Sequence, residues 1–208
     1  MSMAASQLRS DLPPRMVVMG VTGSGKTTVG EALARAIHAT YVDGDKLHPE
    51  ANIAKMSAGI PLDDADRWPW LAKVGGTLRL QPAPVIVGCS ALKRAYRDFI
   101  TEQARAPVLF IYLDGSRELI SRRMSERTGH FMPTSLLDSQ FATLEVPGKD
   151  ENAIAVAIDA PLEKIVADIT SRLRSDRHDQ HSRANRCRCH GRSDRRSPAR
   201  YRQPALRV

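Results

Sequence analysis

The sequence has no apolar run long enough to cross a membrane. Its uninterrupted apolar runs, such as residues 16–19 and 108–113, are far shorter than the about 18–20 residues that a bilayer span needs. The first fourteen residues also lack the apolar stretch and the small-residue cleavage site of a secretory signal. We therefore expect a cytoplasmic protein with no membrane partner.

Cysteines are few, and their spacing gives no disulfide framework. The 208-residue chain has three, at Cys89, Cys187 and Cys189. An odd, unevenly spaced set fits a reducing compartment. With His190 the last two offer at most three closely spaced ligands and no second pair, so a structural zinc site is not expected.

Most of the chain also lacks an excess of basic charge. The formal net charge is +8, but residues 171–208 hold twelve arginines, no lysine and three aspartates, whereas residues 1–170 hold nineteen basic and twenty acidic residues. Arginine-rich segments bind phosphate backbones. This one has Tyr201 as its only aromatic residue, and we interpret it as an unrelated extension rather than an evolved nucleic-acid arm.

From Arg15 onward, short apolar runs alternate with amphipathic segments. This alternation is typical of βα units that build a mostly parallel sheet. We predict strands at 16–19, 41–43, 85–88, 108–113 and 154–158, and helices between them. The predicted helices include residues 63–80, capped by Asp63 or Asp64, and a last helix whose apolar face is Leu162, Ile165, Val166, Ile169 and Leu173.

The pattern divides the chain into three parts. Residues 1–14 form a flexible extension and residues 15–173 the α/β domain. After Leu173 the periodicity stops, and polar residues with proline follow, so we expect residues 174–208 to be a disordered arginine-rich tail.

One motif points directly to a nucleotide. Gly20 to Thr27 matches G-x-x-x-x-G-K-[ST], between a predicted strand and a predicted helix. Glycines let the backbone curl so that its N–H groups face phosphate oxygens. Lys26 reaches the β- and γ-phosphates of ATP as a catalytic cation, and the Thr27 hydroxyl is placed to ligate Mg²⁺. The predicted nucleotide-binding residues are Gly20, Val21, Thr22, Gly23, Ser24, Gly25, Lys26, Thr27 and Thr28.

A phosphate loop alone leaves kinases, GTPases and motor ATPases open. The D-x-x-G and N-K-x-D motifs of a GTPase are absent from the chain. The third predicted strand ends in Cys89 and Ser90 rather than in the acidic pair of a motor ATPase. Polar clusters at several strand ends instead favour a small-molecule kinase.

Further motifs carry a resemblance to a known family. They are Asp43-Gly44-Asp45, His48-Pro49, Asn52-Ile53, Lys55-Met56, Asp66-Arg67, Pro69-Trp70-Leu71, Cys89-Ser90-Ala91-Leu92-Lys93, Tyr96-Arg97-Asp98, Gly129-His130-Phe131 and Gln140-Phe141. With the phosphate loop, this order resembles the gluconokinases, P-loop kinases of sugar acids. One departure is Val146, where an acidic residue would be expected beside Glu145.

The resemblance implies both a fold and an activity. The fold is a P-loop NTPase fold of the nucleoside-monophosphate-kinase type, α/β, with a mostly parallel five-stranded sheet, flanking helices and a mobile lid. The activity is ATP-dependent phosphorylation of D-gluconate at its 6-hydroxyl, and a homodimer is a further expectation. Shikimate kinase is the alternative enzyme, and a non-catalytic nucleotide-binding regulator is the alternative from another class.

Residue chemistry gives roles to the acidic pair after the second strand. Asp43 and Asp45 lie at the edge where an open α/β sheet places its ligands. A carboxylate there can hold Mg²⁺ or accept the proton of the attacking hydroxyl. We assign Asp43 to the metal and Asp45 to the hydroxyl, while Asp-Gly is also ordinary turn chemistry.

A sugar acid needs a cation for its carboxylate. Arg67, Lys93 and Arg97 are the candidates, and arginine can bind a carboxylate through two parallel N–H bonds. A solvated basic face is the alternative for Lys93 and Arg97, which are four residues apart. His48 either caps the next helix or binds a sugar hydroxyl, and Lys55 joins the predicted acceptor site by resemblance.

A basic cluster precedes Gly129 and Pro133 and looks like a lid. Closure of such a lid brings an arginine to the transferring phosphoryl group and excludes water. By resemblance Arg123 and Arg127 are the catalytic lid arginines, and His130 belongs to the acceptor site. Ordinary surface arginines are the alternative.

Overall fold

The computed structural model describes residues 12–126 and 134–189. A sheet of five parallel strands has the order β2-β3-β1-β4-β5. The strands are β1 (Arg15–Met19), β2 (Thr40–Asp43), β3 (Val85–Gly88), β4 (Leu109–Asp114) and β5 (Ala153–Ala157). All five predicted strands are confirmed with small shifts at their ends.

Seven α-helices connect or follow the strands in the described ranges. They are α1 (Lys26–Ile37), α2 (Glu50–Ser57), α3 (Asp64–Leu80), α4 (Arg94–Ala104), α5 (Arg117–Ser125), α6 (Thr134–Thr143) and α7 (Leu162–Cys189). A 3₁₀ turn spans Gly44–Leu47. The predicted cap of α3 is confirmed, since the Asp63 carboxylate accepts the Asp66 N–H and the Asp66 carboxylate accepts the Asp63 N–H.

Both faces of the sheet are covered, which explains why its strands are almost wholly apolar. Side chains alternate along β1: Met16 and Val18 face the cluster formed with α1, α5 and α7, and Val17 and Met19 face α3 and α4. The carboxyl ends of the strands are left to carry polar loops. Within the described part of the chain, no helix is long and apolar enough to span a bilayer.

Helix α7 differs in length from the prediction. Its inner face is confirmed, because Ile165, Ile169 and Leu173 are buried. The backbone stays helical to Cys189, however, so the predicted start of an unstructured tail at residue 174 is not where the helix ends. The physical reason is that residues 162–189 contain neither proline nor glycine, and arginine is a good helix former. Residues 190–208 lie outside the described residues.

Removing the tail should leave the domain intact. We expect deletion of residues 175–208 to leave the melting temperature unchanged, because Leu173 is the last α7 side chain that contributes to the described core. Thermal melting followed by circular dichroism measures this. A longer deletion from residue 165 is the control and should unfold the protein. A drop of several degrees in the shorter deletion would show that the tail packs on the domain.

Candidate active site

Three loops meet at the carboxyl edge of β2, β3 and β1. They are the phosphate loop after β1, the Asp43-Gly44-Asp45 turn after β2, and the loop from Cys89 to Lys93 after β3. The Gly20 N–H donates to the Ser90 carbonyl at 3.4 Å. Gly44 lies so close to β3 that a Cβ there would come 2.1 Å from the Gly88 oxygen. The predicted nucleotide and acceptor loops therefore touch.

The phosphate loop has the curled backbone that its motif predicts. Gly25, the N-cap of α1, has a φ of 92°, and Gly23 has a φ of 76°. A Cβ on Gly23 would also come 2.7 Å from Met124 on α5. Side chains at either position would strain the turn, so both glycines are needed for the loop to start α1 in this way.

The donors of this loop suit a phosphate. No side chain caps the N-terminus of α1, so its first N–H groups face outward with the positive end of the helix dipole. Ser24 is 1% exposed, and its hydroxyl has no hydrogen-bond partner among the described residues. The Lys26 ammonium lies across the loop, 3.2 Å from the Gly20 carbonyl and 3.1 Å from that of Val21. An anion could accept from all these groups.

The candidate Mg²⁺ ligands are both oxygen donors, as Mg²⁺ prefers. Thr27 is exposed in the first turn of α1. Asp43 accepts the Asp45 N–H at 3.1 Å with one carboxylate oxygen, so it also serves the turn in which it stands. The residues fit the ion, and their metal role stays a prediction.

A stacked pair of rings supports the Asp43-Gly44-Asp45 turn. The Trp70 indole N–H donates to the Gly44 carbonyl at 2.7 Å. The His48 ring stacks on Trp70 with 4.1 Å between centroids. Asp45 is exposed at the carboxyl edge of the sheet, where its carboxylate can face an acceptor.

The surroundings of His48 favour the neutral imidazole. The Asn52 amide donates to the Asp66 carbonyl at 2.8 Å and lies 3.3 Å from His48 Nδ1. Because an amide nitrogen only donates, Nδ1 accepts and the ring proton is on Nε2. Burial lowers the pKa of His48, which favours the same neutral form. The capping prediction for His48 is wrong, since Pro49 is the N-cap of α2 and no side chain caps it.

Two of the predicted cations, Arg67 and Lys93, meet around Tyr96. The Asp64 carboxylate accepts from Lys93 at 2.8 Å and from the Tyr96 hydroxyl at 2.6 Å, and these bonds lower the pKa of Asp64. The Lys93 ammonium and the Arg67 guanidinium lie 5.4 and 6.0 Å from the Tyr96 ring centroid. Arg67 also donates to the Leu62 carbonyl at 3.3 Å.

These cations differ in how far they are neutralised. Lys55 forms an ion pair with Asp66 at 2.6 Å, and this hydrogen bond raises the pKa of Lys55. Lys93 is paired with Asp64. Arg67 makes no ion pair within residues 12–126 and 137–175, so it is the cation best able to attract a carboxylate from solution.

Arg97 is a correction to the prediction. It is 1% exposed, and its guanidinium binds the Glu151 carboxylate through bonds of 2.6 and 2.9 Å. A further nitrogen donates to the Ala91, Leu92 and Glu145 carbonyls. The sequence could not reveal this, because Glu151 is 54 residues away along the chain. Arg97 holds loops together, and its buried guanidinium is already committed to these protein partners.

The predicted lid is only partly described. Arg123 on α5 donates to the Ile158 carbonyl at the end of β5, at 2.7 Å. Arg127 and His130 lie outside the described residues. The catalytic role of Arg123 and the mobility of a lid stay predictions.

Sequence reasoning gave no role to Tyr96 or Gln140, and it considered Asp64 only as an alternative cap of α3. Asp64 and Tyr96 complete the Lys93 cluster, and the Gln140 side chain accepts the Thr22 N–H of the phosphate loop at 2.7 Å. The spacing of Lys93 and Tyr96 at the start of one helix was a usable signal. Gln140 belongs to a motif of the family resemblance, but nothing in the sequence indicated its partner Thr22, which is 118 residues away.

The fold and the phosphate loop define a P-loop phosphotransferase. The sequence matches the AAA domain family over residues 16–147. It is 49% identical to the gluconokinase of Gluconobacter oxydans (strain 621H) over 162 residues, which cover 74% of this chain and 89% of that protein.

Solved structures agree with this match. The crystal structure of a gluconokinase from Sinorhizobium meliloti 1021 is similar with a TM-score of 0.75 and 49% identity, covering 81% of this chain and 98% of that one. Shikimate kinase from Acinetobacter baumannii shares the fold alone, with a TM-score of 0.53, 19% identity and coverage of 83% and 98%. The chain belongs to the gluconokinase family of P-loop kinases.

Loss of the loop lysine should abolish turnover without unfolding the domain. We expect Lys26→Ala to lower phosphoryl transfer by more than about tenfold, which is ~1.4 kcal/mol of transition-state stabilisation. The matched control is Lys164→Ala on the exposed face of α7. Coupled ADP release and thermal melting measure both variants, and a Lys26→Ala enzyme that keeps most of its turnover would rule out the phosphate-loop assignment.

Removal of Arg97 should destabilise the fold. We expect Arg97→Met to lower the free energy of unfolding by about 3–5 kcal/mol, because it leaves the buried Glu151 carboxylate without its ion-pair partner. Arg97→Met with Glu151→Leu should recover much of this loss. Arg94→Met, which breaks the exposed pair with Asp150, is the control and should change little.

This loss should also depend on pH. The hydrogen bonds from Arg97 lower the pKa of Glu151, so the pair contributes its stability above the ordinary pKa of glutamate and loses it as the pH falls. Chemical denaturation at neutral and acidic pH should show the gap between wild type and Arg97→Met narrowing in acid. A constant gap would contradict the pairing.

Proposed function

We propose that the chain transfers the γ-phosphoryl group of ATP to the 6-hydroxyl of D-gluconate, forming 6-phosphogluconate and ADP. The observation that carries the proposal is a contact at one edge of the sheet. There the phosphate loop touches the loop that contains Lys93, and Lys93 and Arg67 together can bind a carboxylate. Membership of the gluconokinase family supports the choice of acceptor. No observed feature favours shikimate or a purely regulatory role.

On the nucleotide side, the first N–H groups of α1, the Ser24 hydroxyl and Lys26 would bind the phosphates. Thr27 and Asp43 would hold Mg²⁺, which supplies charge neutralisation at the β- and γ-phosphates when bound. Arg123 and Arg127 would add positive charge to the transferring group. These donors stabilise charge that develops in the transition state, which is the main catalytic task in phosphoryl transfer.

On the acceptor side, Arg67 would bind the carboxylate of gluconate, with Lys93 beside it. His48 through its Nε2 proton, Lys55 and His130 would bind hydroxyls along the chain of the sugar acid. With the carboxylate fixed there, the far 6-hydroxyl extends toward the phosphate loop. Asp45 would accept its proton as oxygen attacks the γ-phosphorus and the bond to ADP breaks.

The setting of the reaction follows from its substrates. ATP and a small sugar acid as substrates support a cytoplasmic location. The nearly neutral charge of residues 1–170 supports a protein without a nucleic-acid partner, beyond a weak effect of the tail. The homodimer stays a prediction, tested by the mass of the protein in solution.

An acceptor panel tests the proposal. We expect gluconate to stimulate ADP release, whereas shikimate, AMP and the uncharged sugar glucose should not. Phosphorus NMR should show a single phosphate monoester on the 6-carbon. Stimulation by shikimate or AMP alone would overturn the sugar-acid assignment, and ATP binding without turnover on any acceptor would favour a regulator.

Arg67 should control acceptor affinity. We expect Arg67→Met to raise KM for gluconate by about tenfold or more, since a charge-assisted bond is lost. KM for ATP should stay unchanged. The control is Arg79→Met at the exposed far end of the same helix, α3. Equal effects of the two substitutions on KM for gluconate would remove Arg67 from the site.

A further inference from the structure

Helix α6 reaches the phosphate loop through one side chain. The partly buried Gln140 amide oxygen accepts the Thr22 N–H at 2.7 Å. Thr22 stands at the crest of the loop, between Gly20 and Gly23, both of which have a positive φ. This bond fixes the crest from outside, and the neutral amide adds no negative charge beside a site that suits phosphates.

The residue that follows α6 by two positions reaches the neighbouring loop. The Glu145 carboxylate accepts the Arg94 N–H at 2.6 Å, its own N–H donates to the Leu92 carbonyl at 2.9 Å, and its carbonyl accepts from Arg97 at 3.0 Å. Leu92 and Arg94 flank Lys93, the cation of the acceptor cluster. Glu145 therefore holds the loop on both sides of Lys93.

The chemistry at the start of α4 explains why an acid stands at position 145. Lys93 is the N-cap of α4, and its side chain makes no capping bond. The first N–H groups of the helix need an acceptor, and the positive end of its dipole favours a carboxylate. Glu145, from a distant part of the chain, supplies both the acceptor oxygen and the negative charge. The loop it stabilises also contains Ala91 at a φ of 43°, a conformation that a non-glycine residue adopts only when it is held there.

The direct backbone bonding between the two loops is sparse in the described part of the chain. Cys89 donates to the Val18 carbonyl of β1 at 3.0 Å, and the bond that joins the loops themselves, from Gly20 to Ser90, is long at 3.4 Å. The segment from Gln140 to Glu145 bonds to both loops, and so it sets the distance between them. We propose that Gln140 and Glu145 are positioning residues, which hold the nucleotide loop and the acceptor loop in one fixed relation. The proposal rests on the proposed function.

The positioning roles are tested by two substitutions, each of which should weaken the binding of only one substrate. Gln140→Met, which removes the acceptor of the Thr22 N–H, should weaken ATP binding by about tenfold and leave KM for gluconate unchanged. Glu145→Leu should raise KM for gluconate by a similar factor, with ATP binding unchanged. Glu145→Gln keeps an acceptor oxygen and should restore most of the gluconate affinity.

Matched controls remove general effects of the substitutions. Gln81→Met changes an exposed glutamine at the end of α3, and Glu102→Leu changes an exposed glutamate at the far end of α4. Both should behave as wild type. If Gln140→Met and Glu145→Leu lower the melting temperature while leaving both substrate affinities unchanged, the residues are merely structural and the proposal is wrong.

Two of the measurements do not depend on which acceptor substrate the enzyme uses. ATP affinity is measured with a fluorescent ATP analogue, and amide hydrogen exchange reports the order of residues 20–25 and 89–94. Faster exchange is expected in the first segment for Gln140→Met and in the second for Glu145→Leu. If the wild type fails to phosphorylate gluconate, the proposed function falls, while exchange and ATP affinity still decide the positioning roles. Unchanged exchange in both variants would overturn them.

Discussion

The parallel pairing of β2, β3 and β1 decides where the chemistry of this protein takes place. Parallel strands deliver their carboxyl ends to one edge, so three loops that are far apart in the sequence become neighbours there. The pairing tolerates little change at this edge, because Gly44 and Gly88 meet with no room for a Cβ. A fixed edge of this kind places the phosphate loop beside the predicted acceptor loop without a domain interface.

The side chains that stabilise this edge are largely polar and buried, which is costly unless every group is paired. Arg97 meets that requirement with the Glu151 carboxylate and three loop carbonyls. Trp70 meets it with the Gly44 carbonyl, and its ring buries the face of His48. These groups fix the positions of loops that would otherwise be mobile. Catalysis of phosphoryl transfer depends on fixed positions of this kind.

The fold could be predicted from the sequence because its signals are local. Apolar runs marked every strand, the i, i+3, i+4 spacing marked the inner face of α7, and Asp63 or Asp64 as a predicted cap marked the start of α3. The phosphate loop could be predicted in the same way from its motif. The roles of Arg97 and Gln140 could not be predicted, because their partners lie 54 and 118 residues away and appear only when the sheet has assembled. The end of α7 was misplaced because loss of an apolar face was taken as loss of the helix, although neither proline nor glycine stands between Leu162 and Gly191.

Charge pairing also decides which cation can recognise a substrate. Asp66 already neutralises Lys55, and Asp64 neutralises Lys93, so a carboxylate that approaches either must compete with an existing partner. Arg67 has a backbone carbonyl and an aromatic ring as its partners instead. A carboxylate bound there would gain a charge-assisted bond without breaking an ion pair, and for this reason we propose Arg67 as the anchor. Asp64 then holds Lys93 beside that anchor, and a neutral sugar that lacks the carboxylate would forfeit the gain while still displacing water from both cations. On this proposal, a preference for an acid over a neutral sugar would come from the pairing pattern of the site and not from the number of its positive charges.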